Sequence, residues 1–449
     1  MNIRRILIAN RGEIALRIIR TCRELGIETV LAASEADIES VPARLADEVS
    51  VIGPPPSARS YLDPAAVVSA AVAAKVDAIH PGYGFLSENA VLAKACREAG
   101  IVFIGPTEDQ LAGIGDKLRA RDLAIRAGLP VVPGGAVDTL EDAHRLVEEI
   151  GCPVLVKAVG GGGGRGMKPI EDKRDTEHAV ELAMAEADAA FKDPRVYIER
   201  YVARGRHVEV QLLGDGTNVI HLGDRDCSIQ RRYQKMVEEA PAPLLPDDFR
   251  AKMHSAAIAF GTAMHYRGLG TVEFLVDANL GEFYFLEMNA RIQVEHPVTE
   301  AITGLDLVAE QIAVAEGRPL RISQGDVRFE GHAIEFRVNA EDPHADFRPS
   351  PGAVEAAIFP AGPGIRVDSH IEAGSAVPPY YDSLLAKIIV HGDDRADAIA
   401  LARVALANCH IDGVATNLAM HRALLDDAQF QAGGVDTATF KRVWARGKV

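Results

Sequence analysis

The sequence predicts an α/β protein that opens as a doubly wound parallel sheet and continues into an α+β region with antiparallel strands. Three observations carry that prediction. Strand-like and helix-like segments alternate through the first hundred residues, a run of five glycines lies between two strand patterns, and a β-hairpin pattern sets two glutamates on one face. With 449 residues, 48% hydrophobic and 25% charged, the composition is that of an ordinary globular protein, and the length predicts two to four domains.

Lys and Arg total 48 against 64 Asp and Glu, a net charge of −16. That balance argues against nucleic acid or an anionic membrane as the main partner, while leaving any single pocket unconstrained. Cys22, Cys96, Cys152, Cys227 and Cys409 are scattered with no C-x-x-C pair, so neither a disulfide framework nor a cysteine zinc site is predicted. Met1 to Arg5 leads straight into the apolar run Ile6–Ala9 without a cleavable-signal layout. The stretch Val67–Ile79 is interrupted by Lys75 and Asp77 and is too short to span a bilayer. A soluble cytoplasmic protein is expected.

In chain order, Ile6–Ala9 reads as a strand, Asn10-Arg11-Gly12 as its exit, Glu13–Leu25 as an amphipathic helix, and Glu28–Ala33 as a second strand. Ala78–His80 and Ile101–Ile104 read as later strands of the same sheet. Asn10-Arg11-Gly12 is not a G-x-G-x-x-G fingerprint. His80-Pro81-Gly82-Tyr83-Gly84 is a glycine-rich strand exit, where α/β folds place ligands, although a bare turn accounts for it as well. Pro130 to Gly135 punctuates the chain, and a new unit starts at the strand Pro153–Val156, which leads into Lys157.

Gly160 to Gly164 are followed by Arg165, Gly166 and Met167. Ordering five glycines costs several kcal/mol, on the order of 1 kcal/mol each relative to alanine, and a simple turn needs one or two. A run of bare N–H groups can wrap phosphate oxygens. Met167 occupies the position where a Walker A loop requires lysine, and Lys157 instead precedes the run. The pattern predicts a mobile flap over phosphates with Lys157 and Arg165 as cations; a flexible linker is the alternative.

Thr271 to Asn289 reads as a hairpin. Pairing Ala278 with Glu282 around a three-residue loop sets Glu273 directly opposite Glu287. Two such charges about 5 Å apart repel by roughly 3 kcal/mol at an effective dielectric near 20. A divalent cation between them reverses the sign, and Asn289 shares the strand parity of Glu287 as a third oxygen ligand. A register slip of one or two residues, exposing either glutamate, is the alternative. In extended conformation Glu287, Asn289, Arg291, Gln293 and Glu295 would form one polar row suited to metal, then anion, then base.

Taken together, Ile6 with Ala9–Ala15, Gly160–Met167, Asp226–Arg232, Gln234-Lys235, Glu238–Pro241, Glu287–Asn289, Arg291–Glu300, Asp412-Gly413 and Thr416-Asn417 resemble the biotin carboxylase family over essentially the whole chain. The resemblance implies an N-terminal Rossmann-like (pre-ATP-grasp) domain over 1–114. An ATP-grasp domain follows over 115–330, with a mobile glycine-rich lid at about 131–203, and then the family's C-terminal domain over 331–449. It implies ATP-dependent carboxylation of biotin by bicarbonate through carboxyphosphate, with Mg²⁺ or Mn²⁺.

By the same resemblance Lys117 and Lys157 contact nucleotide phosphates under Gly163 and Gly164, with His207 near the nucleotide. Glu199, Arg200, Tyr201 and Val202 border the adenine through backbone groups, and Tyr233 lies next to the adenosine. Glu273, Glu287 and Asn289 form the metal set. Lys235, Arg291, Gln293 and the Val294 N–H hold bicarbonate, Glu295 is the base, and Arg337 stabilises the biotin enolate. Tyr233 stands where histidine is commonest, Arg200 and Val202 replace lysine and leucine, Pro42 replaces histidine, and Pro363 replaces a phenylalanine of the dimer interface.

No biotin-attachment domain follows Val449, so biotin is expected on a separate carrier protein, with carboxyltransferase subunits as further partners. The expected assembly is acetyl-CoA carboxylase, in which this chain would form a homodimer. Another ATP-grasp ligase and a silent ATP-binding regulatory protein are the competing readings.

Overall fold

The computed structural model describes residues 2–160, 167–277 and 280–446. Strands β1 (Arg5–Ile8), β2 (Glu28–Ser34), β3 (Glu48–Gly53), β4 (Ala78–His80) and β5 (Val102–Phe103) form a parallel sheet in the order β3-β2-β1-β4-β5. Ile6, Leu7 and Ile8 are all fully buried, which explains why β1 reads as a continuous apolar run: both sheet faces are covered. Strand β3, which the sequence pattern does not reveal, lies at the sheet edge with Ile52 as its buried residue.

Helix α1 (Gly12–Glu24) packs Ile14, Ala15, Ile18, Ile19 and Cys22 inward at helical spacing. Strand order reverses between β1 and β4, the place where such sheets open a crevice. There Asn10 Nδ2 donates to the carbonyls of Pro81 and Tyr83 at 2.7 Å each. Gly82 has φ +63°, and a Cβ there would come within 2.8 Å of Asn10 Nδ2. The glycine-rich exit is therefore a fitted lip of the crevice.

A second unit comprises β6 (Gly134–Val137), β7 (Val154–Ala158), β8 (Met167–Ile170) and β9 (Val196–Arg200), antiparallel in the order β6-β9-β7-β8. Helices Leu140–Ile150 and Thr176–Phe191 cover one face, closing a separate core around Leu146, Val147, Val154, Val156, Val180 and Ile198. The glycine run joins β7 to β8, as its flanking patterns predict. Gly163 and Gly164 lie outside the described residues.

The largest sheet is antiparallel. It contains β10 (Arg206–Asp215), β11 (Val219–Arg231), β12 (Gln234–Ala240), β13 (Arg267–Asp277), β14 (Glu282–Asn289) and β15 (His332–Asn339). Its order is β14-β13-β10-β11-β12-β15, continued by Leu384–Gly392 and Ile365–Ser369. One sheet thus runs from the carboxylate hairpin into the C-terminal part of the chain.

The hairpin differs from expectation near its turn. Asp277, not Ala278, pairs with Glu282, and a β-bulge between the Glu273 and Phe274 pairs restores the predicted alignment of Glu273 with Glu287. The polar row also ends sooner than expected. After Asn289 the chain leaves the sheet, and Glu295 caps the helix His296–Thr303 with φ −80° and ψ 11°, so Arg291, Gln293 and Glu295 do not lie on a strand face.

Candidate active site

The three units enclose a cleft of about 2180 Å³, larger than the 300–1,000 Å³ of an ordinary small-molecule pocket. Lys117, Lys157, Glu199, Arg200, Tyr201, Val202, His207, Tyr233, Lys235, Glu273, Glu287, Asn289, Arg291, Gln293, Val294 and Arg337 all line it. Glu295 is fully buried just behind that wall, held by Lys235 and Arg337.

Sheet register assembles the centre. Arg225, Glu209, Glu273 and Glu287 stand directly opposite one another on β11, β10, β13 and β14, forming a transverse row. Gln211, Thr271 and Asn289 form a parallel row two residues along. Same-face alternation therefore concentrates three carboxylates, which need cations nearby to remain charged. Arg225, fully buried, donates to Glu209 at 2.6 Å and to Gln211, Thr271 and Thr299.

Lys235, on β12, places its ammonium 2.5 Å from Glu209, 2.8 Å from Glu273 and 2.8 Å from Glu295. Burial alone would discharge Lys235, but these three carboxylates raise its pKa well above the ordinary lysine value. The reciprocal effect appears at Glu295: burial favours the acid form, yet Lys235, Arg337 and Arg225 hold its pKa well below the ordinary range. Glu273 is likewise lowered, against burial, by Lys235 and His207. His207 Nε2 lies 3.0 Å from Glu273, and despite burial its pKa is raised by that carboxylate.

Arg291 is fixed on three sides. It donates to Asn289 Oδ1 at 2.7 Å, to Gln293 Oε1 at 2.9 Å and to Glu88 Oε2 at 3.0 Å. The second Glu88 oxygen accepts the Ala290 N–H at 2.8 Å. The irregular segment 290–295 thus keeps together the groups that a straight strand was expected to align. Gln293 Nε2 is buried with no acceptor among the described residues, a donor that could meet a bound anion. Fully buried Lys387 donates to the Val294 carbonyl at 2.8 Å and lies 3.1 Å from Glu13, whose carboxylate also accepts the Tyr83 hydroxyl.

Cross-strand rows in the second unit aim Lys157 and Tyr197 at the cleft, with Lys157 paired to Glu199 and 5.9 Å above the Tyr197 ring. The N–H groups of Arg200 and Tyr201 donate to the Pro133 and Pro153 carbonyls within the unit, while Glu199, Arg200, Tyr201 and Val202 all line the cleft. Arg200 also donates from its side chain to Tyr284. Tyr233 sits at the β11–β12 turn, where Arg232 and Tyr233 both have positive φ (49° and 66°). Asn-Gly is the usual occupant of such a turn; here Arg231 and Arg232 hold it by pairing with Asp346, and Tyr233 projects 55% exposed.

Glu273, Glu287 and Asn289 offer two carboxylates and an amide oxygen, hard donors that fit Mg²⁺ or Mn²⁺. Glu287 leaves 38% of its side chain exposed beside Lys117, whose ammonium is 3.4 Å away. Among the described residues, His207–Glu209–Glu273 and Glu209–Cys227–Glu295 are the groups of His, Cys, Asp or Glu that bring three ligand atoms within 4.8 Å of one another. Lys235 already bonds a carboxylate in each of those groups.

Sequence reasoning gave no role to Glu88, Glu209, Arg225, Lys387 or His421, and used Glu13 and Asn417 only as parts of motifs. Asn417 and His421 fix Arg337 from behind. Asn417 Nδ2 donates to its carbonyl at 2.9 Å, and His421, its pKa lowered to about 4 by burial, donates the Nε2–H of its neutral ring to the same oxygen at 2.7 Å.

A cleft lined by lysines, paired acids and buried cations suits an ATP-dependent ligase. Residues 116–323 match the carbamoyl-phosphate synthase L chain ATP-binding domain, residues 2–111 the biotin carboxylase N-terminal domain, and residues 335–442 the biotin carboxylase C-terminal domain. The chain belongs to the biotin carboxylase family. A biotin carboxylase of Nostoc sp. is 50% identical over 441 residues, covering 98% of each chain. A pyruvate carboxylase subunit of Methanothermobacter thermautotrophicus is 48% identical, over 96% of this chain and 88% of that one. The biotin carboxylase domain dimer of Hydrogenobacter thermophilus 2-oxoglutarate carboxylase, solved with MgADP, ADP and bicarbonate, superposes with a TM-score of 0.95 at 44% identity over 99% of each chain. Among the described residues no helix is long and apolar enough to cross a membrane.

Proposed function

We propose that the cleft binds MgATP and bicarbonate and carboxylates biotin presented on a separate carrier protein. The observation that carries this reading is the Lys235–Glu295–Arg337 arrangement: one buried carboxylate held by two cations, each reachable from the cleft. Lys117 and Lys157 would position nucleotide phosphates, for phosphoryl transfer depends chiefly on alignment and charge neutralisation. A divalent cation held by Glu273, Glu287 and Asn289 would supply further neutralisation of phosphate charge. Arg291, Gln293 and the Val294 N–H would hold bicarbonate against Lys235. Glu295 would accept the bicarbonate proton, and Arg337 would face the ureido oxygen of biotin as it gains charge.

The proposed boundaries are 1–114, 115–330 with the lid at about 131–203, and 331–449, supported by the separate core of the four-stranded unit. We assign the chain to a cytoplasmic acetyl-CoA carboxylase, as a homodimer with carrier and carboxyltransferase partners. Identities of 50% and 48% to relatives from differently named enzymes leave the acceptor to be read from the carboxyltransferase.

Release of ADP with and without bicarbonate and free biotin tests the reaction. Bicarbonate-dependent, biotin-stimulated turnover is expected, and Arg337→Ala should lower biotin carboxylation far more than nucleotide binding. Turnover without either dependence, or equal losses in Arg337→Ala, refutes the assignment. Supplying co-purified carboxyltransferase with acetyl-CoA, pyruvate or 2-oxoglutarate identifies the acceptor.

A further inference from the structure

The buried charge continues one step beyond the residues assigned above. Glu238 on β12 and Glu335 on β15 are direct cross-strand partners, and both are fully buried. Neither oxygen of either carboxyl group meets a hydrogen-bond donor in good geometry among the described residues. Glu238 does meet one cation closely: Arg337 Nη2 lies 2.6 Å from its Oε1, while the same nitrogen donates to Glu295 Oε2 at 2.8 Å. A single guanidinium nitrogen is therefore divided between two carboxylates, and the proposed chemistry uses only one of them. A buried carboxylate so poorly satisfied is costly enough to need a reason.

We propose that Glu238 is a positioning residue that shares Arg337 with Glu295, so that the guanidinium faces biotin without closing into an exclusive pair with the catalytic base. The inference rests on the carboxylase reading of this cleft. An exclusive Arg337–Glu295 pair would hold Glu295 more firmly ionised, hence less basic, and would draw Arg337 away from the ureido oxygen. A second anion on Arg337 weakens both effects.

The groups acting on Glu238 come from every packed element. They are Arg337 and Glu335 from β15, Glu295 from the cap of the helix His296–Thr303, Lys235 from β12 itself, and Cys227 from β11. Lys387, from the strand beyond β15, acts on Glu335. Burial raises Glu238 to about 7, with Arg337 opposing and Glu295 adding to the rise. Burial raises the Glu335 carboxyl well above the ordinary range, which favours its neutral form beside Glu238, and among the described residues no Arg337 nitrogen pairs with it as one does with Glu238 and Glu295. Glu238 is therefore ionised above about pH 7, where sharing is present, and sharing is lost as the pH falls.

The test uses the whole chain with MgATP, bicarbonate and free biotin, following kcat/KM for biotin from about pH 6 to about pH 9. Wild type should lose activity up to about tenfold per unit on the acid side of an ionisation near 7. Glu238→Gln, an isosteric change, should lack that ionisation and remain about 10–100-fold below the wild-type alkaline level, with KM for ATP changed less than about twofold. Glu335→Gln should keep the wild-type acid limb. Retention of the limb in Glu238→Gln, a parallel rise in its KM for ATP, or loss of the limb in Glu335→Gln overturns the proposal. Failure of wild type to use biotin at all would refute the carboxylase reading instead, and the wild-type arm reports that separately.

Discussion

Replacing Lys387 by methionine tests how the cleft depends on charge hidden behind it. Lys387 is fully buried, lies 3.1 Å from the buried Glu13 carboxylate, and donates to the Val294 carbonyl. Methionine retains the apolar stem, so the change removes charge and a donor while leaving little cavity. At 3.1 Å and an effective dielectric near 20, the lost Coulomb attraction is about 5 kcal/mol. Breaking a buried pair by removing one partner costs roughly 3–5 kcal/mol, so a loss of about 4 kcal/mol is expected in urea denaturation. Adding Glu13→Gln removes the stranded charge and should restore about 2 kcal/mol, measured as a double-mutant cycle.

The pH dependence adds a second check with a fixed sign. Burial raises the Glu13 carboxyl, and Lys387 is the largest influence opposing that rise. Without Lys387 the folded-state pKa moves further above its unfolded value, and the native state binds the extra proton. The deficit of Lys387→Met should therefore shrink on acidification, by at most about 1.4 kcal/mol per pH unit. A deficit below about 1 kcal/mol, one that grows on acidification, or the absence of coupling to Glu13 would refute the reasoning.

Two further perturbations address the supports of Arg291 and Arg337. Glu88→Gln removes the charge from a bond to Arg291 and should lower kcat/KM for bicarbonate about 10–100-fold, the equivalent of roughly 1.5–3 kcal/mol, leaving KM for ATP unchanged; a matching rise in KM for ATP would contradict it. Asn417→Ala strands the Asn339 N–H, bonded at 2.9 Å, leaves the Arg337 carbonyl to His421 alone, and should cost about 1–3 kcal/mol with a raised KM for biotin. An unaltered melting temperature would rule out that support.

Much of the framework was legible because it depends on local pattern. The first parallel strands, helix α1 and the strands flanking the glycine run lie where periodicity and punctuation place them. The hairpin shows both the reach and the boundary of such reasoning. Alternation correctly opposed Glu273 and Glu287, but the four-residue connection and compensating bulge depend on how β13 also pairs with β10. Glu88 acts on a segment 202 residues away, a relation that local pattern does not encode. A signal did exist for the buried charges: Lys387 interrupts Leu384–Val390, and Glu238-Glu239 follows Met236-Val237, each a charge within a strand too apolar to leave it solvated. Such a charge requires a buried partner, although the sequence does not name it.

The depressed pKa of Glu295 would by itself disqualify it as a base, because a carboxylate held so firmly ionised accepts a proton reluctantly. The cations responsible resolve the difficulty. Lys235 and Arg337, the two largest influences opposing burial, are the residues proposed to receive bicarbonate and the ureido oxygen of biotin. If each substrate anion claims its cation as proposed, the field holding Glu295 ionised would weaken and its basicity would rise. On the proposed chemistry Glu295 would gain basicity only when the groups it is to serve are in place. Arg225 does not take part in that exchange, since its guanidinium is fully buried among Glu209, Gln211, Thr271 and Thr299. It supplies the fixed charge that keeps the carboxylate row folded, while Lys235 and Arg337 supply the charge that substrates can redirect.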